Sequence, residues 1–367
     1  MKLLVAPDSF KGTSSATQAA NIIVDAVARE FPEVETTALP VADGGEGFIE
    51  VLDYVGEFDR ISLECADAFG KVRRVPALRD GSEFFISSAF ATGTDEPDCF
   101  DVLHASSAGV GQMIAQCIQK GAETIYIGLG GSRSVDLGTG MARELGVRFF
   151  GSGGFPVEPK GAAWLSAIFD VDPQPSRDAV SGVRIVGLCD VLVPLNGAQG
   201  GIALFSSQKG ADAILVRNLM EESVRLSRLF EKATSVRAHM RAGSGSAGGL
   251  GAGLAWFTGA ELVGGFSWYA GRTALEQKVL ESDLVLTGEG TYDRTSTTGK
   301  AADSLVKTCL LNRVTAAIIT GTSLCEPPGG VEVFELRYSE GQDSAKPDDA
   351  ADALERAAIE VVTKHLK

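Results

Sequence analysis

Five glycine-rich turns hold most of the side chains here that could handle an anion or a metal ion. APDSFKG (Ala6–Gly12) pairs Asp8 with Lys11, and PVADGGEGF (Pro40–Phe48) sets Asp43 and Glu46 around Gly44 and Gly45. GLGGSRSVDLGTG (Gly128–Gly140) offers Ser132, Arg133, Ser134 and Asp136. SSQKGAD places Lys209 in a turn, and TGEGTYDRTSTTGK (Thr287–Lys300) combines Glu289, Asp293 and Lys300 with hydroxyls. Acids, lysines and hydroxyls on bare backbone are the usual mixture for Mg2+ and phosphate. Each turn alone also has a plain reading: a helix-start acid at Asp8, a tight strand–helix corner at GLGGS, a solvated lysine at Lys209. Taken together they point to phosphoryl transfer more than to acyl or hydride transfer. The three histidines, His104, His239 and His365, stand in unrelated contexts, so neither a zinc site nor a Ser-His-Asp triad is expected.

A sixth stretch, GSGSAGGLGAGL (Gly243–Leu254), has the spacing of a dinucleotide fingerprint, but VRAHMRA precedes it where a strand should stand. Three readings stay open there, the first being a nicotinamide dinucleotide site that rests on this fingerprint alone. Small residues would allow close helix packing, or Gly248 and Gly249 would open a helix whose backbone N–H groups hold an anion. Gly299-Lys300-Ala lacks the upstream spacing and following hydroxyl of a P-loop.

These turns need strands and helices to hold them. KLLVAP, TTALPVA, TIYIGLGGS, SDLVLTGEG and AAIITGTS read as short apolar strands that alternate with helical patterns, the grammar of a doubly wound parallel sheet. Ser15-Ala-Thr-Gln is a capping box that opens the first helix. In such sheets ligands bind beyond the carboxyl ends of the strands, where Asp8, Asp43, Ser132 and Glu289 would fall. Phe58 to Phe85 reads instead as an antiparallel hairpin. The expected architecture is α/β. A Rossmann-like domain is expected from 1–57, 95–150 and 275–367, with an inserted α/β domain of mixed or antiparallel sheet from 58–94 and 151–274.

Composition bounds the function class. The chain has 367 residues, a formal charge of −15 and 44 glycines gathered in short loops. That charge repels nucleic acid and anionic membranes, so the expected partner is a small molecule, and the sequence carries no signal for an oligomeric state. The six cysteines, at 65, 99, 117, 189, 309 and 325, form no C-x-x-C pair and read as buried thiols of a reducing compartment. The first residues contain too short an apolar run for a signal peptide, and no stretch approaches the roughly 20 residues of a membrane span. A cytoplasmic location is expected.

APDSFKG, PVADGGEG, GLGGS, QKGA, GGLGAGL, LTGEG and the Gly299-Lys300 pair occur in the order found in bacterial glycerate kinases, and the chain resembles that family over essentially its whole length. The resemblance implies a Rossmann-like domain with an inserted restriction-endonuclease-like domain. It also implies ATP- and Mg2+-dependent phosphorylation of D-glycerate, at O2 for preference over O3. Several positions depart from the family pattern. Arg133-Ser134-Val135-Asp136-Leu137-Gly138 replaces Ala-Thr-(Asn/Thr)-Asp-Gly-Gly, Val193 replaces an asparagine, Ser206-Ser207 replaces Gly-Pro, and Ser87 replaces a glutamate. Asp293-Arg294-Thr295-Ser296 stands for Asp-x-Gln-(Ser/Thr).

With that resemblance in place, Asp190 is the expected acceptor of the hydroxyl proton, with Asp293 second, and Glu289 and Asp8 are the expected Mg2+ carboxylates. Asp43 and Glu46 would flank a loop, Gly44-Gly45, bare enough for a ligand to reach its backbone. Lys11, Lys209 and Lys300 would neutralise phosphate or the substrate carboxylate, and Arg133 would bind a further anionic group unless it pairs with Asp136. The competing expectation is a homologue altered at these positions, which binds a nucleotide or hydroxy acid without turnover or phosphorylates a related acid.

Overall fold

The computed structural model describes residues 1–94, 100–294, 296, 300–339 and 342–366. Cys99, Thr295 and Gly299 lie outside them. The chain forms two compact units, Met1–Asp43 with Glu50–Gly56 and Phe266–Lys367, and Gly44–Ile49 with Glu57–Gly265.

In the first unit, five strands form a wholly parallel sheet in the order Glu332–Glu335, Thr315–Ser323, Leu284–Tyr292, Lys2–Val5, Glu35–Ala38. The runs Leu3-Leu4-Val5 and Leu284-Val285-Leu286 are buried throughout, as strands covered on both faces must be. Leu3 and Val5 pack with Ala19, Ile23 and Val27 of the helix Ala16–Glu30 and with Leu354 and Ala358 of the helix Pro347–His365. The expected capping box forms: Ser15 accepts from the Gln18 amide while the Gln18 side chain accepts from Ser15 N. The strand order reverses at Lys2–Val5 beside Leu284–Tyr292, the topological switch point at which open parallel sheets bind ligands. Just past this pair, Ala6 N donates to Leu286 O and Asp8 N to Gly288 O, both at 2.8 Å.

The second unit holds a six-stranded mixed sheet in the order Glu261–Gly264, Arg184–Cys189, Thr124–Leu129, Glu83–Ser87, Val72–Asp80, Asp59–Ala66. The first four strands are parallel, and the last two form the expected antiparallel hairpin. A small antiparallel sheet, Pro156–Val157, Arg148–Phe150 and Asp170–Asp172, accompanies it. Phe230 lies edge-on to Trp256 and Phe257, with ring centroids 5.3 and 5.0 Å away, deep in this core.

A parallel sheet and a second, mixed α/β unit are both as expected, while the likeness of that unit to restriction endonucleases rests on the family resemblance alone. The boundaries differ from the expected ones. Residues 100–150 belong to the second unit, because Thr124–Leu129 pairs with Glu83–Ser87 and Arg184–Cys189. Residues 44–49 also join that unit, and 266–274 join the first. Strand–helix alternation is the same in both sheets, so it could not say which sheet a strand enters. Five described cysteines are free thiols, four of them buried. Among the described residues no helix is long and apolar enough to cross a membrane.

Candidate functional site

Each unit gathers its own set of the expected residues. In the first, Asp8 follows Lys2–Val5 and Glu289 lies near the end of the neighbouring strand, Leu284–Tyr292. Asp8 Oδ1 accepts from Ser9 N at 2.6 Å. Desolvation, with the Asp43 carboxylate next and Glu289 adding to it, pushes Asp8 up to about 8. Glu289 is only 6% exposed and its Oε1 is buried without a hydrogen-bond partner among the described residues. Burial pushes this carboxyl up, and Asp293 and Asp43 push the same way. A hydrogen bond from Ser296 and the charge of Lys300 oppose them. Four acids therefore share one field with cations nearby, and the buried Glu289 Oε1 lacks a hydrogen-bond partner among the described residues. Among the described residues no three His, Cys, Asp or Glu side chains are grouped to hold a metal ion on their own. Mg2+ does not require such a cage, since it binds through one or two carboxylates with waters and phosphate oxygens completing the shell.

Lys11 is exposed, and Lys300 is the N-cap residue of the helix Ala301–Asn312. That helix is anchored from below. Tyr292, fully buried, donates from Oη to Asp303 Oδ1 at 2.7 Å, and Lys307 Nζ lies 2.5 Å from Asp303 Oδ2. A second anchor holds the approach to Asp43, with Val41 N donating to Pro7 O at 2.9 Å and Tyr269 Oη to Pro40 O at 2.5 Å. Sequence reasoning missed these anchors. The signal that could have found Asp303 is an acid in the first turn of the helix Ala301–Asn312.

In the second unit the bare backbone of PVADGGEG has a different use from the expected one. Gly44 and Gly45 are buried. Gly44 has φ +89°, and a Cβ there would stand 2.4 Å from Leu188 O. A Cβ on Gly130 would stand 2.6 Å from Gly45 Cα and 2.8 Å from Asp190 Oδ2. What comes close to these glycines is the carboxyl end of the sheet, with the Asp190 carboxylate lodged beside them, and Glu46 alone projects to solvent. Gly44→Ala is expected to destabilise by about 2–6 kcal/mol, combining backbone strain with overpacking. Gly47 also has positive φ but open space around it, so Gly47→Ala should cost only about 1–3 kcal/mol. Denaturant midpoints of the two variants read the difference, and equal losses would refute the close-packing account.

Asp136, expected to face a ligand, is instead an internal staple. Its oxygens accept from Ser107 N and Oγ, both at 2.8 Å, and from Gly138 N and Gly140 N, both at 3.2 Å. Burial pushes this carboxyl up and those bonds pull it down. Arg133 therefore does not pair with Asp136. Its amide donates to Thr92 O at 2.7 Å and its guanidinium lies 4.1 Å from the centroid of the half-exposed Phe100 ring. Ser132 Oγ lies 3.0 Å from Ser134 Oγ. Lys209, expected in an open turn, is buried, with Nζ donating to Ser134 O at 2.9 Å. Gly248 and Gly249 are buried too, and a Cβ on Gly248 would stand 1.9 Å from Ser134 O. Of the readings of this stretch, the structure supports close helix packing.

Residues 3–364 match the glycerate kinase family. The chain belongs to that family. Two relatives are a glycerate kinase of Haemophilus influenzae, 33% identical over 84% of this chain and 82% of its own, and a glycerate 2-kinase of Escherichia coli, 33% identical over 82% and 80%. A crystal structure from Salmonella typhimurium LT2, provisionally named glycerate kinase 2, superposes with a TM-score of 0.80 at 30% identity, covering 99% of this chain and 98% of that one.

Within this glycerate kinase family member, two of the apolar departures lie in the core. Val135 and Leu137 are each 1% exposed and pack with Met141, Leu195 and Leu250. Leu137 keeps the positive φ, +56°, that suits the glycine it replaces. Ser206 is buried, with Oγ donating to Ile202 O at 2.7 Å. Val193 contributes its carbonyl to Gly245 N at 3.1 Å. Val135, Leu137 and Ser206 thus fill the interior, whereas Val193 is half-buried and Ser207 exposed.

Proposed function

We propose that this protein transfers the γ-phosphoryl group of ATP to a hydroxyl of D-glycerate, giving 2-phosphoglycerate. The observation that carries this reading is the acid pair at the strand switch point. Asp8 and Glu289 sit on adjoining strand ends, with a buried Glu289 oxygen that has no hydrogen-bond partner among the described residues and with Lys11 and Lys300 close enough to act on their charge. Carboxylates raised by burial and by their acidic neighbours favour a cation, and Mg2+ carried in with the nucleotide phosphates fits that need. Asp8 and Glu289 would hold it, directly or through water, and it would neutralise charge developing on the phosphoryl oxygens. Lys11 and Lys300 approach the phosphates as point charges. Asp190 is the candidate acceptor of the hydroxyl proton, with Asp293 second, and Ser132 and Arg133 carry donors suited to a carboxylate. In-line transfer asks chiefly for positioning and charge neutralisation, and the lysines and metal-binding acids answer the second need.

Incubation with ATP, Mg2+ and D-glycerate, followed by 31P NMR, tests the reading. A new 2-phosphoglycerate resonance with stoichiometric ADP supports it. A 3-phosphoglycerate product would overturn the regiochemistry, and nucleotide binding without ADP would overturn the activity. Lys300→Ala separates the two substrates: the KM for ATP should rise about 10- to 150-fold, the worth of one charge-assisted hydrogen bond, with that for glycerate little changed. A defect confined to glycerate would move Lys300 to the other substrate.

A further inference from the structure

Lys209 is the least expected of the charged residues, because a lysine in a serine-rich turn normally reaches for solvent. It ends the short 3-10 turn Ser207–Lys209 and is 5% exposed. The next residue, Gly210, has φ +96°, and a Cβ there would stand 2.5 Å from Phe100 O, so the turn is wedged in place. One ammonium proton goes to Ser134 O at 2.9 Å. A buried cation persists only where anions and acceptors face it. The charged groups that act on Lys209 are Asp190, Asp136 and Arg133. Arg133 repels it. The Asp136 oxygens are committed to Ser107, Gly138 and Gly140, which leaves Asp190 as the acid whose charge Lys209 chiefly balances. Asp190 is lodged against Gly130, so Lys209 and Asp190 grip opposite ends of one loop, Gly130–Ser134.

We propose that Lys209 is a positioning residue that fixes the Gly130–Ser134 loop through Ser134 and keeps the Asp190 carboxylate ionised and in register. The inference deepens the reading that Asp190 accepts the substrate proton, and rests on it. Burial pushes the ammonium down to about 8, with Arg133 adding to the effect and Asp190 and Asp136 opposing it. The arrangement thus also predicts a loss of turnover as pH rises through that value.

NMR of the full chain labelled with 13C at aspartate Cγ, with Asp190→Asn for assignment, reads Asp190 without reference to turnover. In Lys209→Met the Asp190 midpoint should move up by about one unit and kcat should fall about 100-fold, with the KM for ATP within about threefold. Lys209→Arg keeps the charge, so the midpoint should return toward wild type and the alkaline limb of kcat should move up by more than one pH unit. An Asp190 midpoint unmoved in Lys209→Met overturns the inference. So does an alkaline limb unmoved in Lys209→Arg, which serves if the methionine variant does not fold. Full turnover in Asp190→Asn sinks the proton-acceptor reading instead, and the NMR arm still decides whether Lys209 sets the charge of Asp190.

Discussion

Asp190→Asn should lower kcat with ATP and D-glycerate by about 10²- to 10⁴-fold, the range for removing a general base. Asparagine has the same shape, so the packing against Gly130 survives, and the bond from Asp190 N to Leu129 O at 3.3 Å is untouched. What disappears is an anion able to take a proton. It also leaves the buried Lys209 ammonium without its main counter-charge. The melting temperature should therefore fall by a few degrees at pH 7 and by less at pH 9, where Lys209 can give up its proton. Undiminished turnover in the variant would remove Asp190 from the chemistry.

Asp8→Asn should have opposite effects on stability and activity. Asp8 is raised from an ordinary 3.8 to about 8 in the folded chain. Between those values the folded protein holds a proton that the unfolded chain has released. The stabilising contribution is thus fully present below about pH 4 and is lost progressively as pH rises to about 8. Asparagine does not titrate, and its Oδ1 can still accept from Ser9 N. The variant should match wild type in thermal stability near pH 4 and exceed it increasingly up to pH 8. Its turnover should be at least 100-fold lower, and Mg2+ alone should raise its melting temperature less than that of wild type. A stability difference that does not vary with pH would show that Asp8 is not strained by its neighbours. Such a trade is common where acids are crowded for a ligand.

Local signals in the sequence were readable because they concern residues a few positions apart. Ser15 and Gln18 cap a helix, Asp59–Ala66 and Val72–Asp80 pair across a tight turn, and the apolar runs ending at Asp8 and Glu289 put both acids at strand ends. Other features depend on partners far along the chain. Nothing near Thr124–Leu129 records that its neighbours are Glu83–Ser87 and Arg184–Cys189. Asp136 looks like a ligand-binding acid because glycines and serines surround it, yet those residues supply the amides that occupy it. The bareness of Gly44 was legible, but whether a ligand or Leu188 O fills the space is decided by the strand Arg184–Cys189, encoded far downstream. Lys209 followed the same pattern, since a turn lysine becomes buried only if distant acids receive it.

The strand order of the first unit bears on how the protein is made. Leu3 pairs with Leu284 in register, and the whole stretch Glu57–Gly265 is translated between them. A nascent chain that has emitted only Lys2–Val5 and Glu35–Ala38 owns two parallel strands, too few to stand alone. At ~5–20 residues per second, the central ladder waits roughly 15–60 s for its third strand, while the nearly contiguous second unit is already complete. Biogenesis should run from the middle of the chain outward, with the amino-terminal strands left as exposed edges until the carboxy-terminal third leaves the ribosome. High contact order makes that interval slow to close, and its unpaired strand edges are where aggregation is to be expected.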